Sequence, residues 1–387
     1  IDDYIKWVPL LYQKKDFNEI EKHIYGLLRD NNEAKSYELY VLYHVLAKIT
    51  DNKHIDLMQS VLNEWCSKHA GSHIPWLTRG VFYIDHAWTI RGSGLAKSVP
   101  KKAWPKFYEK LKLAQKDLEK SWELNPNDPN SSCNLIVVAK GLNYPRERME
   151  QYYENAISAC PWHFGVRFKK LQYLKPKWHG SSEEMFEFAE QCLISSEQYP
   201  YLGLIMVNVL EEAHKYNSKK ENILGKDNMW PTIEKIYAAF FAKYPEDIRR
   251  RFYYAYHAYK TEKYEVALNQ FEIIGDRWME NTCWYSFGYY NDCRSIAYIK
   301  RGEEFFLKKN LYEISIDYFQ KAVKYDPNDY AYYRLGQAYM YSGICIRDLA
   351  YIQKAEKTLK KAIELRGPNS KYAKDELKKL RKYLRKH

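Results

Sequence analysis

Residues 311–339 read LYEISIDYFQKAVKYDPNDYAYYRLGQAY. Counting back from Pro327, the positions five, eight and twelve residues earlier are Ala322, Phe319 and Ser315. Positions three and four apart share one face of a helix, so these residues form a buried stripe. The proline then stops the helix, because it has no N–H with which to continue the hydrogen-bond ladder. The same count works at three more prolines. Before Pro126 it meets Ser121, Leu118 and Ala114; before Pro161, Ala156, Tyr153 and Met149; before Pro245, Phe240, Tyr237 and Ile233. A recurring stripe and stop is the mark of a repeat unit, and it predicts helix pairs stacked into an array.

This spacing of small residue, aromatic, alanine and proline resembles the second helix of a tetratricopeptide repeat (TPR). First helices match as well: Trp76, Gly80 and Tyr83 stand at the signature spacing of that superfamily, as do Leu335, Gly336 and Tyr339. A small residue lets two antiparallel helices approach, and an aromatic fills the space beside it. Lys263-Tyr264-Glu265-x-Ala267 and Asn310-Leu311-Tyr312 resemble the turn and start of second helices. At the N-terminus, Trp7, Val8 and Leu11 precede a second apolar set, Phe17, Ile20, Ile24 and Leu27. The resemblance implies an all-α fold, an irregular TPR-like α-α superhelix (a right-handed solenoid of antiparallel helix pairs). The elements Trp76-Leu77-x-Arg79-Gly80-x-Phe82-Tyr83, Ala87-Trp88-x2-Arg91-Gly92-Ser93-Gly94 and Pro176-Lys177-Trp178-His179-Gly180-Ser181 carry a second likeness. Through them, residues 65–192 resemble an uncharacterised bacterial family with a TPR-like domain of unknown function, which implies a bacterial source and brings no activity.

The array is irregular. The chain between Tyr83 and Ala114 is longer than a repeat allows, the step from Pro327 to Gly336 is one residue short, and that from Tyr339 to Ala355 is long. Four regions are expected: helical hairpins over 1–64, a TPR-like region with an inserted loop over 65–200, a helical connector over 201–250 with a polar break at Asn217–Asn228, and C-terminal repeats with a basic capping helix over 251–387.

Hydrophobic residues at 46% exclude a disordered chain. No apolar run approaches the roughly 20 residues of a membrane span. The 7 cysteines are odd in number and scattered, which excludes a disulfide framework and a zinc knuckle and favours a cytoplasmic setting. A chain that begins at Ile1 rather than Met leaves export open. Of the formal charge of +12, residues 353–387 carry +9 (13 Lys and Arg against 4 Asp and Glu), leaving +3 for the rest. The basicity is therefore that of a terminal cap, and nucleic acid is not the expected partner.

The segment Asp85-His86-Ala87-Trp88-x2-Arg91-Gly92-Ser93-Gly94 is the most unusual in the chain. Asp85, His86, Trp88, Arg91 and Ser93 make it a candidate small-ligand or hydrolytic pocket, with His86 as base and Ser93 as nucleophile. Against catalysis, adjacent helical residues point about 100° apart, so Asp85 and His86 do not pair as a triad requires. The glycines fit neither dinucleotide nor Walker spacing. Ser181, with Glu184 three residues on, reads as a capping box. His179 and His163 have no second ligand at helical spacing, so no metal or other cofactor is expected.

Tyrosine, 37 residues in all, supplies the other candidate surface. First helices line the concave face of a TPR array, so Tyr253, Tyr256, Tyr289 and Tyr333, with Arg250 and Arg334, are expected to face a groove that takes a peptide. The neighbouring Tyr285 and Tyr290 are expected in the same helix as Tyr289. Lys371–His387 reads as a basic amphipathic helix, with binding of nucleic acid or an anionic surface as its alternative role. The resulting expectation is a non-enzymatic scaffold for a protein or peptide partner, whose identity and oligomeric state the sequence does not name. A ligand-binding or hydrolytic protein centred on Asp85–Gly94 is the alternative.

Overall fold

The computed structural model describes residues 5–30, 32–49, 51–217, 226–280, 282–309 and 311–385. Asn310 and most of the polar break expected over 217–228 lie outside them, as do Ile1 and His387. The described residues form helices and no strand. After a short helical lead at Trp7–Pro9 and a π-turn at Leu10–Lys14, the principal helices of the first compact unit, Ile1–Ile223, are α1 (Phe17–Arg29), α2 (Glu33–Ala47), α3 (Ile55–Lys68), α4 (His73–Arg91), α5 (Ala103–Leu124), α6 (Pro129–Leu142), α7 (Arg146–Ala159), α8 (Phe164–Tyr173), α9 (Ser182–Ser195) and α10 (Leu204–Asn217). Those of the second, Leu224–His387, are α11 (Lys226–Lys243), α12 (Ile248–Lys260), α13 (Tyr264–Ile274), α14 (Phe287–Lys309), α15 (Tyr312–Tyr325), α16 (Asp329–Ile346), α17 (Leu349–Glu364) and α18 (Ser370–Leu384).

The prolines act as the spacing predicts. α5, α7 and α11 end at Leu124, Ala159 and Lys243, two residues before Pro126, Pro161 and Pro245. Two residues after each proline, Asp128, His163 or Asp247 caps the next helix by accepting a backbone N–H. At Pro327 the joint is one residue shorter, and Asn328 is the cap. Each cap satisfies a donor that the first helical turn leaves orphaned. Eleven of the twelve stripe residues are buried, and Tyr153 is half-buried.

Glycine sets the closeness of the pairs. A Cβ on Gly80 would lie 2.7 Å from Leu118 Cγ, and one on Gly336 2.7 Å from Leu359 Cδ2. Both glycines therefore permit the approach of α4 to α5 and of α16 to α17. Most successive helices pack on one another within each unit, and among the described residues the fold is the all-α one the sequence predicts. The inserted stretch between Tyr83 and Ala114 is taken up by extending α4 to Arg91 and starting α5 at Ala103. The capping box is half realised. Ser181 Oγ accepts the Glu184 N–H at 3.2 Å, while the Glu184 carboxylate accepts from Arg146 at 2.7 Å instead of turning back.

A buried polar network ties unit 1 across its layers. Asp128 Oδ2 accepts from Tyr43 OH (2.9 Å) on α2 and from His73 Nε2 (3.1 Å) on α4. Its Oδ1 accepts from the backbone and side-chain N–H groups of Asn130 (2.9 and 2.8 Å). Asn130 Oδ1 in turn accepts from His163 Nε2 at 3.2 Å, and His163 Nδ1 accepts the Val166 N–H at 3.1 Å. Burial works to raise the Asp128 carboxyl, but the His73 and Asn130 donors outweigh it and hold it below its ordinary value. His163 is therefore a structural histidine.

Candidate functional site

Gly92, at φ 74°, ends α4 and turns the chain out of the helix. Arg91 just before it is buried, with its guanidinium 5.3, 5.6 and 5.5 Å from the ring centroids of Trp88, Trp104 and Trp178. Its Nη1 donates to the carbonyls of Gly92 (3.1 Å) and Gly94 (3.0 Å), so Arg91 clamps the Gly-Ser-Gly loop onto three indoles. Ser93 is exposed. His86 packs against Phe82 at 5.9 Å, and burial followed by the charge of Lys110 lowers its pKa. Asp85 turns elsewhere, its Oδ2 accepting the Ile49 N–H at 2.7 Å. No hydrogen bond joins His86 to Ser93, and the triad-like convergence that hydrolysis needs is not formed. Of the five candidate residues, Asp85 and Trp88 line a cavity; His86, Arg91 and Ser93 do not.

That cavity encloses about 380 Å³. Its walls come from α4, α6 and α8, the first helices of three successive pairs, and from α2, which packs on α4 and α8. The i, i+3, i+4 and i+7 positions Val81, Ile84, Asp85 and Trp88 supply one wall. Lys140 on α6, Lys169 on α8 and Lys48 just after α2 supply positive charge, and His44 on α2 a neutral imidazole; sequence reasoning missed all four. Lys140 ends an otherwise apolar stretch, Leu135–Ala139, and a cation at the end of such a stretch on a first helix was the available signal.

Lys140 Nζ lies 5.1 and 5.0 Å from the ring centroids of Trp88 and Trp178, and those indoles meet edge to face at 5.6 Å. Lys169 Nζ donates to His44 Nε2 at 3.4 Å. His44 Nδ1–H donates to the Tyr40 carbonyl at 2.8 Å, which fixes the tautomer that leaves Nε2 as acceptor. Among the described residues neither ammonium group pairs with a carboxylate. Burial, then the charges of Lys169, Lys177, Lys175 and Arg91, push the Lys140 amine down to about 7. Burial also lowers Lys169, while burial and Lys169 hold His44 neutral, at about 3. Asp85 is raised by burial against the pull of the Ile49 N–H and Lys48. The wall thus carries three ammonium groups against one carboxylate, a formal excess of two positive charges. His179 serves this wall as a prop, stacked on Tyr173 at 4.4 Å with Nε2 donating to the Lys140 carbonyl at 3.2 Å.

In unit 2 the expected groove residues fall into separate settings. Tyr256 meets Trp284 edge to face at 5.3 Å, and Lys260, over the Tyr256 ring at 5.5 Å, donates to Tyr289 OH at 3.5 Å. Tyr253 is half-buried under the Arg250 guanidinium, 5.7 Å from its ring, and Arg250 itself is buried. Tyr285, expected within a helix, precedes α14 and is 85% exposed. Tyr333 packs near Tyr330 and Tyr372, at 6.2 and 6.1 Å. Arg334 beside it is buried. Its Nε faces Glu303 at 3.2 Å, and its Nη1 donates to Gln337 at 2.6 Å. Its charge belongs to the interior of the array and not to a groove.

The chain is similar to a human IFIT1 dimer with m7Gppp-AAAA, at 12% identity over 91% of this chain and 72% of that one, with a TM-score of 0.36. It is also similar to a monomeric mutant of IFIT1 with Gppp-AAAA, at 11% identity over the same shares and a TM-score of 0.34. No family model matches the chain and no curated protein matches it, so the likeness of residues 65–192 to a bacterial family gains no support.

Proposed function

We propose that this chain is a non-enzymatic, TPR-like binding scaffold that draws an anionic group of a protein or peptide partner into the unit 1 cavity. The observation that carries this reading is the pair Lys140 and Lys169, two ammonium groups in one solvent-reached cavity with no carboxylate paired to either. Placing cations side by side in a partly dry site is unfavourable unless an anion completes it; burial and then the neighbouring cations lower Lys140, and burial lowers Lys169. The cavity's face of the array, built from first helices, is the one on which a TPR array takes a partner.

The C-terminal helices are the weaker candidate for anion binding, because many of their cations already have partners. Lys360, Lys361, Lys378, Lys379 and Arg381 lie 3.0–3.7 Å from Glu356, Glu364, Asp375, Glu376 and Glu356. Calorimetric titration with sulfate at constant ionic strength tests the proposal. Saturable uptake should disappear in a Lys140→Met, Lys169→Met double variant that keeps its helical circular dichroism. Uptake that the double variant retains, or no uptake by the unchanged protein, would overturn it.

A further inference from the structure

We infer that the group this cavity takes is the dianion of a phosphate monoester, an inference that rests on the anion-binding reading above. Charge comes first. With Lys140 and Lys169 both protonated, the wall's formal excess of two positive charges is matched by a phosphate monoester, which carries roughly −1.5 to −2 near pH 7, and only half matched by a carboxylate. Coulomb attraction scales with the charge product, so the dianion gains about twice as much from the same wall.

The donors point the same way. Lys140 Nζ has three N–H groups and no acceptor among the described residues, and Lys169 has two beyond the one given to His44. A phosphoryl group presents three terminal oxygens to such a set, a carboxylate two.

The type of cation matters as well. Arginine grips carboxylate and phosphate alike through a planar fork, while lysine meets an anion as a compact point charge, a mode that phosphate sites also use. The arginine nearest the cavity, Arg91, gives its Nη1 to Gly92 and Gly94 and its face to tryptophan, so the cavity is left with lysines alone. His44 orients Lys169 as a neutral acceptor and adds no charge of its own.

The test uses the full chain at pH 7 with three probes, N-acetyl-phosphoserine amide, inorganic phosphate and N-acetyl-glutamate amide, each titrated by calorimetry at constant ionic strength. The phosphoserine derivative should bind about tenfold or more tightly than the glutamate derivative, in keeping with its doubled charge. Lys140→Met and Lys169→Met should each reduce that preference. Inorganic phosphate that binds as tightly as the phosphoserine derivative would identify free phosphate as the source. Weaker inorganic phosphate would identify an esterified one; both results support phosphoryl recognition. Equal binding of the glutamate and phosphoserine derivatives would overturn this inference and leave the anion-binding scaffold standing. Binding of none of the probes, sulfate included, would overturn both.

Discussion

The cations of the unit 1 cavity are treated differently from those inside unit 2, and from Arg79 and Lys175 elsewhere in unit 1, which pair with Asp117 (2.7 Å) and Glu212 (2.9 Å). In unit 2, Arg301 donates to Glu265 at 2.7 Å and pairs with Glu304, Arg334 faces Glu303, and Arg294 donates to the Gly275 carbonyl (3.2 Å) and Tyr325 OH (2.7 Å). In unit 1, Lys140 has two indole faces and Lys169 a neutral imidazole. Charge neutralised from within is architecture, because breaking it leaves an uncompensated ion in a dry place. Charge left over beside an opening is stabilised only incompletely by rings and dipoles, and it remains available to an anion from outside. The contrast teaches that the number of cations on an inner face says little until each one's partner is known.

The largest effect expected from this contrast is in unit 2. Glu303→Ala strips Arg334 of its carboxylate and should lower the unfolding free energy by about 3 kcal/mol, read from urea denaturation. A loss under about 0.5 kcal/mol would mean the pair behaves as a surface contact and would erase the distinction between the units.

Lys140→Met should move the other way. It keeps the aliphatic stem between Trp88 and Trp178 and removes a cation crowded by Lys169, Lys175, Lys177 and Arg91, so stability at pH 7 should rise by about 1 kcal/mol. A destabilised variant would show that the ammonium–indole contacts outweigh burial and repulsion.

Another test of the contrast is a slope with pH. The Lys140 amine sits at about 7 in the folded chain and near its ordinary 10.5 when unfolded, so between these values the unfolded chain holds the extra proton. Stability contributed by this group therefore rises with pH across that window, and the rise is absent in Lys140→Met. Phosphate monoester affinity runs oppositely, falling from pH 7 to 9 as Lys140 loses its charge. Facing it are Lys169, lowered by burial, His44, held neutral by burial and Lys169, and Asp85, raised by burial, with Lys175, Lys177, Lys48 and Arg91 around them. Affinity that is flat over that range would detach Lys140 from the site.

What could be read from the sequence follows from distance along the chain. Helix stripes, proline stops and the glycine opposite Leu118 are local or pairwise patterns, and they were legible. The cavity is assembled from His44, Asp85, Lys140 and Lys169, residues that no short pattern contains and that four helices bring together. Asp85 and Trp88 were singled out because the Gly-Ser-Gly loop beside them is unusual. The reason for that loop, Arg91 stacked on three indoles, is structural. Tyr256 and Tyr289 do share Lys260, whereas Arg334, equally basic in sequence, is directed inward by Glu303 on the long helix α14.

The Asp128 network has a kinetic consequence. Most contacts in a stacked array join near neighbours, so folding can begin at any repeat and spread. Asp128 instead meets Tyr43 and His73 across separations of 85 and 55 residues, and Asn130 meets His163 across 33. Such links raise the contact order locally and close only after α2, α4, α6 and α8 have all arrived. The same four helices wall the cavity. Unit 1 should therefore acquire this block in a single cooperative step, and a fragment lacking α2 or α8 forfeits the knot and the cavity together.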